Sequence, residues 1–591
     1  MIGHKVFLFT KVTQETCNQS TPECIYYILT RSGQPASVCP GKTSEMSEKF
    51  DMMEKDDSIT VSDSSLGTEE SSTGSSEYER ETWSRKTEYL LSMIGYSVGL
   101  GNIWRFSYIC LRNGGGAFLI PFLFFLITCG IPLYFLEVSV GQFMGKGVVY
   151  FTEVAPLFRG LGYGMLMVSV IFAFYYNIIT TWILYYIVNS FFNPLPWSTC
   201  GNSWNTKYCA ADHYNTNSNI TRNTSLVNAI QSDLSTMTSN ITDNTTKINI
   251  RLVTPEEEFW EHQVLQMSSD LQDIGYFPWH LPVCCLVAWI IVFLSLMKGV
   301  KSVGKVVYVT ATLPYLLLTV LLIRGIDGIT YYLKPNFDRL RDKQVWLEAA
   351  LQVFYSLGPC WGGLITMSSY TKFNNNCLRD AVILSLMSEG TSIFGGLAVF
   401  SILGFMASNL NLPIDKVVQS GPGLGFIVYP EALSLLPLPN FWSVLFFIML
   451  LTVALDSIAG IYIFQLIDWY IAAFAVGVFG VLECVIYGWI YGIENLSRDI
   501  TLMLGRPMPG ILRFCICFVT PGVLLKSKTP SLTHVTFVFT MMSYQPPNYG
   551  TYIYPGYAQV IGWIIACIPV IPIPIYMVIQ LKNAPGNSLY E

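Results

Sequence analysis

The chain has 591 residues, of which 52% are apolar and only 13% are charged, and its mean hydropathy is +0.44. That is about half the charge of an ordinary soluble domain, so the composition excludes a water-soluble enzyme and points to an all-α polytopic membrane protein. A formal net charge of −6 gives no basis for a nucleic-acid partner.

Residues 1–83 are rich in Ser, Thr, Asp and Glu without periodicity and read as a disordered cytoplasmic tail. The run Val6–Thr10 is too short for a secretory signal. A transmembrane domain follows over 84–583, then a short tail, 584–591. A span needs about 20 apolar residues. Candidates lie at 87–110, 117–142, 161–192, 280–297, 306–324, 347–370, 380–407, 441–466, 471–493, 511–525 and 556–580. The span 511–525 is short because Lys526 and Lys528 interrupt it. Arg80, Arg85 and Lys86, then Lys146 and Arg159, then Lys298, Lys301 and Lys305 fall on one side, which positive charge marks as cytoplasmic together with the N-terminus. The loop 193–277 is then extracellular. It holds four Lys/Arg against nine Asp/Glu and four glycosylation sequons, at Asn219, Asn223, Asn240 and Asn244. Its only cysteines, Cys200 and Cys209, predict a disulfide. The remaining cysteines lie mostly in apolar runs, where Cys is a small buried hydrophobe.

Two spans are interrupted at mid-depth. One reads Gly95-Tyr-Ser-Val-Gly-Leu-Gly-Asn102 and the other Ser356-Leu-Gly-Pro-Cys-Trp-Gly-Gly363. Glycine and proline weaken both helices, and unpaired backbone inside a membrane is tolerated only where it lines a cavity or ligand site. One break early and one five spans later predict a transporter built from inverted repeats. Half-helix ends would attract an anionic substrate group, and freed carbonyls a cation. Asn102, Gln352 and Ser356 stand beside the breaks, which packing alone does not call for. Glu137, Glu389, Asp456-Ser457, Asp468 and Glu483 are further polar residues in apolar spans. Buried charges of this kind are functional or paired, and the oxygen pair at Asp456-Ser457 suits a hard cation such as Na⁺.

Seven stretches carry a family resemblance: Gly95–Phe106, Asn113–Pro121, Gly130–Phe143, Asn202–Thr206, Trp361–Cys377, Leu451–Ser457 and Gly550–Trp563. Over about 83–586 the chain resembles the neurotransmitter:sodium symporter family, nearest to its sodium- and chloride-dependent glycine transporters. The resemblance implies Na⁺-coupled symport of a small amino acid at the plasma membrane, with a possible homo-oligomer. It implies one Na⁺ site of Gly95, Val98, Val453, Asp456 and Ser457, and a second of Ser97, Asn102 and Ser356. It puts the substrate carboxylate at Gly99, Gly101 and Tyr176. Phe172, Tyr355 and Trp361 form the walls, with Trp361 filling the side-chain pocket. An outer gate of Arg105 with Asp468 and an inner latch of Arg80 and Trp83 are also implied.

The sequence departs from the family pattern at several positions. Ser107 stands where Pro is usual. The chloride site keeps Gln352, Ser356 and Ser392 but has Phe122 for a Tyr and Ser388 for an Asn, so chloride binding is altered. Glu389, three residues before Ser392, shares its helical face and is a candidate fixed replacement for chloride. After Ser457 the chain runs directly into Ile458–Tyr470, which looks like the start of span ten; by that comparison span nine is lost, along with the acid expected to pair with Arg80. If 441–467 completes one helix and 471–493 returns, then 494–510 faces outside and Asp468 lies near the cytoplasm. The expected function is sodium-coupled uptake, most simply of glycine. The alternative is a truncated or splice form that does not transport and regulates full-length transporters. No nucleophile–base set or phosphate-cradling loop suggests an enzyme.

Overall fold

The computed structural model describes residues 82–99, 101–209, 253–267, 278–297, 315, 319, 326–410, 424–435, 438–454, 474–525, 548–549, 552–553 and 556–583. Among them, α1 (Lys86–Ser97) and α2 (Phe106–Arg112) fall in the first candidate span, joined through a π-helical turn at Gly101–Arg105. The next helices are α3 (Gly116–Met144) and α4 (Gly160–Asn189). A short α5 (Pro255–Glu258) lies within the loop 193–277, and α6 (His280–Leu296) follows it. They are followed by α7 (Ile326–Leu333), α8 (Lys343–Leu357), α9 (Gly363–Ser368) and α10 (Cys377–Leu410). The later helices are α11 (Tyr429–Ser434), α12 (Pro439–Ala454), α13 (Val476–Ile490), α14 (Ile493–Leu504), α15 (Gly510–Val523), α16 (Gly556–Cys567) and α17 (Pro572–Asn583).

Polarity is arranged inside out, as a bilayer requires. Val283, Leu286, Phe293, Ile561 and Ile564 face outward, whereas Glu137, Glu389 and Glu483 are buried. Lipid offers no hydrophobic reward for helix association, so close packing and internal hydrogen bonds hold such a bundle together. Three described helices are long and apolar enough to cross a membrane singly (Gly116–Met144, Pro156–Asn189 and Cys377–Phe405), and two bent pairs are so when each is taken as one span.

Four sequence expectations change. Span 471–493 is not straight: α13 stops at Ile490, Gly492 adopts φ 94°, and α14 leaves at 88°. Span 556–580 bends by 40° between α16 and α17, where Pro569 and Pro572 withdraw backbone donors. The all-α class gains a minimal β-hairpin, β1 (Asn548–Tyr549) paired antiparallel with β2 (Tyr552–Ile553). Finally, 494–510 does not lie opposite the start of span one. Gln142 at the end of α3 reaches Met503 Sδ at 3.7 Å and donates to the Phe373 and Asn375 carbonyls at 2.7 Å. Lys86, at the start of α1, meets Asn375 at 2.9 Å and Asp380 at 3.1 Å. The end of α14 is thus on the same side of the bundle as Lys86. The expectation came from counting spans, one over 441–467 and a return over 471–493, and the contact of Met503 with Gln142 departs from it. Residues 455–473 lie outside the described residues, as do 306–324 apart from 315 and 319, the first 81 residues and 584–591.

The described parts of 193–277 are pinned locally. Cys200 and Cys209 are disulfide-bonded as expected. Thr206 N–H donates to Glu258 at 2.7 Å and Asn205 Nδ2 at 3.2 Å, and the Thr206 hydroxyl bonds the same carboxylate. Trp260 stacks on Phe426 at 4.6 Å, tying this stretch to the segment before α11. Beside it, Glu256 is buried against Glu431, and both burial and that neighbour push its carboxyl up to about 8.

Candidate functional site

The two interrupted spans meet at their interruptions. α1 ends because Val98 is extended, at φ −91° and ψ 99°. The Gly99 N–H, left without a helical acceptor, donates to Asn102 Oδ1 at 3.0 Å. α8 ends at Gly358, with φ 66°, and α9 starts after Gly362, with φ 77°. These left-handed values favour glycine, yet Cys360 between them also has a positive φ, 66°. Three hydrogen bonds join the breaks: Tyr96 Oη to the Gly358 carbonyl at 3.2 Å, Ser97 Oγ to Leu357 at 3.4 Å, and Gln352 Nε2 to Gly101 at 3.1 Å. All these donors and acceptors are buried, where an unpaired polar group is costly.

α10 completes the polar floor. Asn102 Nδ2 donates to Ser392 Oγ at 3.0 Å and lies 3.4 Å from both oxygens of Ser388. Ser388 Oγ donates to the Ser97 carbonyl at 3.2 Å. Ser392 donates to Glu389 at 3.2 Å, and Ser356 bonds the same carboxylate. Glu389 is 1% exposed. A chain of hydrogen bonds therefore leads from the first break, through Asn102 and Ser392, to a buried carboxylate and on to Ser356 at the second break.

The walls are aromatic. Phe172 and Trp361 have ring centroids 3.8 Å apart; Tyr355 lies 6.5 Å from Phe172 and 6.1 Å from Trp361. The Trp361 carbonyl accepts from Ser169 Oγ at 2.7 Å. The Arg105 guanidinium sits 3.9 Å over the Tyr355 ring, and a Cβ on Gly101 would collide with that ring. Just before α1, Trp83 is buried; its N–H and Nε1 donate to the Tyr370 and Met367 carbonyls, each at 3.1 Å.

The structure thus brings together Ser97, Val98, Gly99, Gly101, Asn102, Gln352, Tyr355, Ser356, Trp361, Ser388 and Ser392, with Gly95 in the same buried helix end and Phe172 at the wall. Tyr176 is in α4 and Val453 in the last turn of α12, with side chains outside the described residues. Asp456, Ser457, Asp468, Arg80 and the four sequon asparagines also lie outside them. Phe122 is packed against Phe106 at 5.0 Å and Phe118 at 5.9 Å, filling the place of the expected hydroxyl with aromatic contact. Ser107 Oγ donates back to the Ile103 carbonyl at 2.5 Å, so the helix continues where proline is usual.

The model of the Sodium:neurotransmitter symporter family matches this chain in two consecutive parts, residues 80–459 and 457–584. The chain belongs to the sodium:neurotransmitter symporter family. It is 39% identical over 564 residues to the sodium- and chloride-dependent glycine transporter 1 of Xenopus laevis, with 87% of this chain and 86% of the relative covered. Glycine transporter 2 of the same species is 38% identical over 571 residues, covering 86% and 70%. The sodium- and chloride-dependent creatine transporter 1 of Mus musculus is 38% identical over 563 residues, covering 86% and 84%. As a member of the family this chain is a multi-pass membrane transporter rather than an enzyme.

Several contacts of this sodium:neurotransmitter symporter were not legible in the sequence. The bond from Ser356 to Glu389 joins residues on separate helices. The Lys86–Asp380 pair at the start of α1 is equally remote in sequence. Cys360 carried no signal, yet its N–H bonds Glu137 and its thiol lies beside Glu483. The isolated acids in apolar runs were the one clue to these contacts.

Proposed function

We propose that this protein is a sodium-coupled symporter of a small amino acid, most simply glycine, working at the plasma membrane by alternating access with its N-terminus in the cytoplasm. The observation that carries this reading is the pair of helix interruptions lying side by side, lined by Asn102, Gln352, Ser356, Ser388 and Ser392 and capped by Phe172, Tyr355 and Trp361. Backbone of this kind at membrane depth belongs to ion and substrate sites. One Na⁺ is assigned to the Ser97 carbonyl, Asn102 and Ser356. The other is assigned to the Gly95, Val98 and Val453 carbonyls with Asp456 and Ser457. The substrate carboxylate is assigned to the Gly99 and Gly101 amides and Tyr176. The 3.8 Å approach of Trp361 to Phe172 leaves little room for a side chain, which favours glycine over the bulkier creatine. Membership of the family and the names of the glycine transporter relatives support the same choice.

Chloride is assigned a diminished role. Phe122 and Ser388 remove two of its expected ligands, and Glu389 already holds the Ser356 and Ser392 hydroxyls. A fixed carboxylate beside Asn102 can balance Na⁺ charge without a mobile anion.

A second reading, a non-transporting form that regulates full-length transporters, has its own observation: the family match divides at 457–459, where span nine is expected and where the inner-gate acid is lost. Uptake of radiolabelled glycine and of creatine, with and without Na⁺ and alongside surface labelling, separates the readings. Na⁺-dependent glycine uptake supports the symporter. Abundant surface protein without uptake supports the regulatory form.

A further inference from the structure

Three side chains from three separate parts of the fold converge beside the second break. Glu137 is on α3, Cys360 lies in the break between α8 and α9, and Glu483 is on α13. All three are fully buried, and one ligand atom of each lies within 4.8 Å of the others. Among the described residues this is the one group of its kind. Neither carboxylate oxygen of Glu483 meets a nitrogen or hydroxyl donor; its polar neighbour is the Cys360 thiol. Glu137 is engaged differently, since one of its oxygens accepts the Cys360 N–H. Cys360 itself is held at φ 66°, a conformation that disfavours any side chain.

Two carboxylates this close in an apolar interior carry a large electrostatic penalty unless a cation or a proton lies between them. A divalent cation offsets both charges. The thiol narrows the choice: hard Mg²⁺ and Ca²⁺ prefer all-oxygen shells, whereas Zn²⁺ accepts one sulfur with carboxylate oxygens. Three protein ligands with a fourth position open is a common Zn²⁺ arrangement. We infer that Glu137, Cys360 and Glu483 form a binding site for a Zn²⁺-like divalent ion that ties α3 and α13 to the backbone break next to Trp361. Binding exchanges the thiol proton for the metal, Cys–SH giving Cys–S–Zn²⁺ and a released H⁺. Because the break must move for alternating access, the metal acts as a brake on transport.

The test uses the full chain purified into lipid nanodiscs, titrated with Co²⁺ and Zn²⁺. The expected result is one tight metal per chain, an ultraviolet thiolate-to-Co²⁺ charge-transfer band that Zn²⁺ displaces, and a higher melting temperature with metal. Cys360→Ala should abolish the band, and Glu483→Gln should weaken Zn²⁺ binding at least tenfold. Should Glu483→Gln fail to fold, Cys360→Ala decides alone, because the relevant readout is the sulfur band. No metal uptake by the intact chain overturns the inference, and the two acids then share a proton. A band that persists in Cys360→Ala overturns it equally, since another thiol would be the ligand. None of these readouts depends on transport.

Discussion

Replacing Glu389 by Gln removes one negative charge while keeping the shape and hydrogen-bonding reach of the side chain. Ser392 Oγ lies 3.2 Å from the carboxylate and 3.0 Å from the Asn102 amide. A cation held at Asn102 would stand about 6 Å from the carboxylate, so at an effective dielectric of about 20 their attraction is about 3 kcal/mol. That corresponds to about a hundredfold in affinity. Glu389→Gln is therefore expected to raise the half-saturating Na⁺ concentration for uptake by between ten- and a hundredfold. Uptake by the unaltered protein should continue when chloride is replaced by gluconate, and the variant should regain part of its Na⁺ affinity when chloride is restored. The assay is Na⁺-activated glycine uptake at matched surface levels. If Na⁺ activation and chloride response are the same in both proteins, Glu389 is neutral in the working cycle and its charge balances nothing.

Other expectations follow from single contacts. Gly101→Ala drives a methyl group into the Tyr355 ring and should cost about 1–3 kcal/mol, seen as a lower melting temperature and lost substrate affinity; an unchanged Km would refute the close packing. Trp83→Ala removes the buried indole and its hydrogen bond to the Met367 carbonyl, leaving the backbone bond to Tyr370 in place, and should expose the cytoplasmic pathway, raising alkylation of Cys377 by a membrane-permeant maleimide. Unaltered labelling would mean Trp83 is no latch. Glu256 holds its proton up to about 8 in the folded chain, whereas an unfolded glutamate loses it near pH 4.3. Its contribution to stability is thus complete below about pH 4.3, falls as pH rises and is gone above about pH 8. The melting temperature of the intact protein relative to Glu256→Gln should decline across that window, and parallel pH profiles would refute the assignment.

Legibility in the sequence tracked the range of the interaction. The departures from helical geometry at Val98 and at Gly358–Gly362 are local events, and glycine and proline are local signals for them. The pairing of Cys200 with Cys209 was legible because their loop holds no other cysteine. The link from Ser356 to Glu389 was not, because no local pattern says which faces of α8 and α10 meet. The same holds for Glu137, Cys360 and Glu483, brought together only by tertiary packing. The side on which 494–510 lies was misjudged for a related reason. Counting spans cannot reveal that Met503 packs beside Gln142, and that contact overrides an argument from parity.

The central claim is that the cluster at the two breaks couples Na⁺ to a small amino acid. The most direct measurement is binding of radiolabelled glycine to the purified, reconstituted chain as Na⁺ is titrated in, compared with Asn102→Ala. The account predicts saturable binding that requires Na⁺, with the Na⁺ curve shifted at least tenfold to higher concentration in the variant. Glycine binding that is indifferent to Na⁺, or an Asn102→Ala curve that overlays the original, would contradict it.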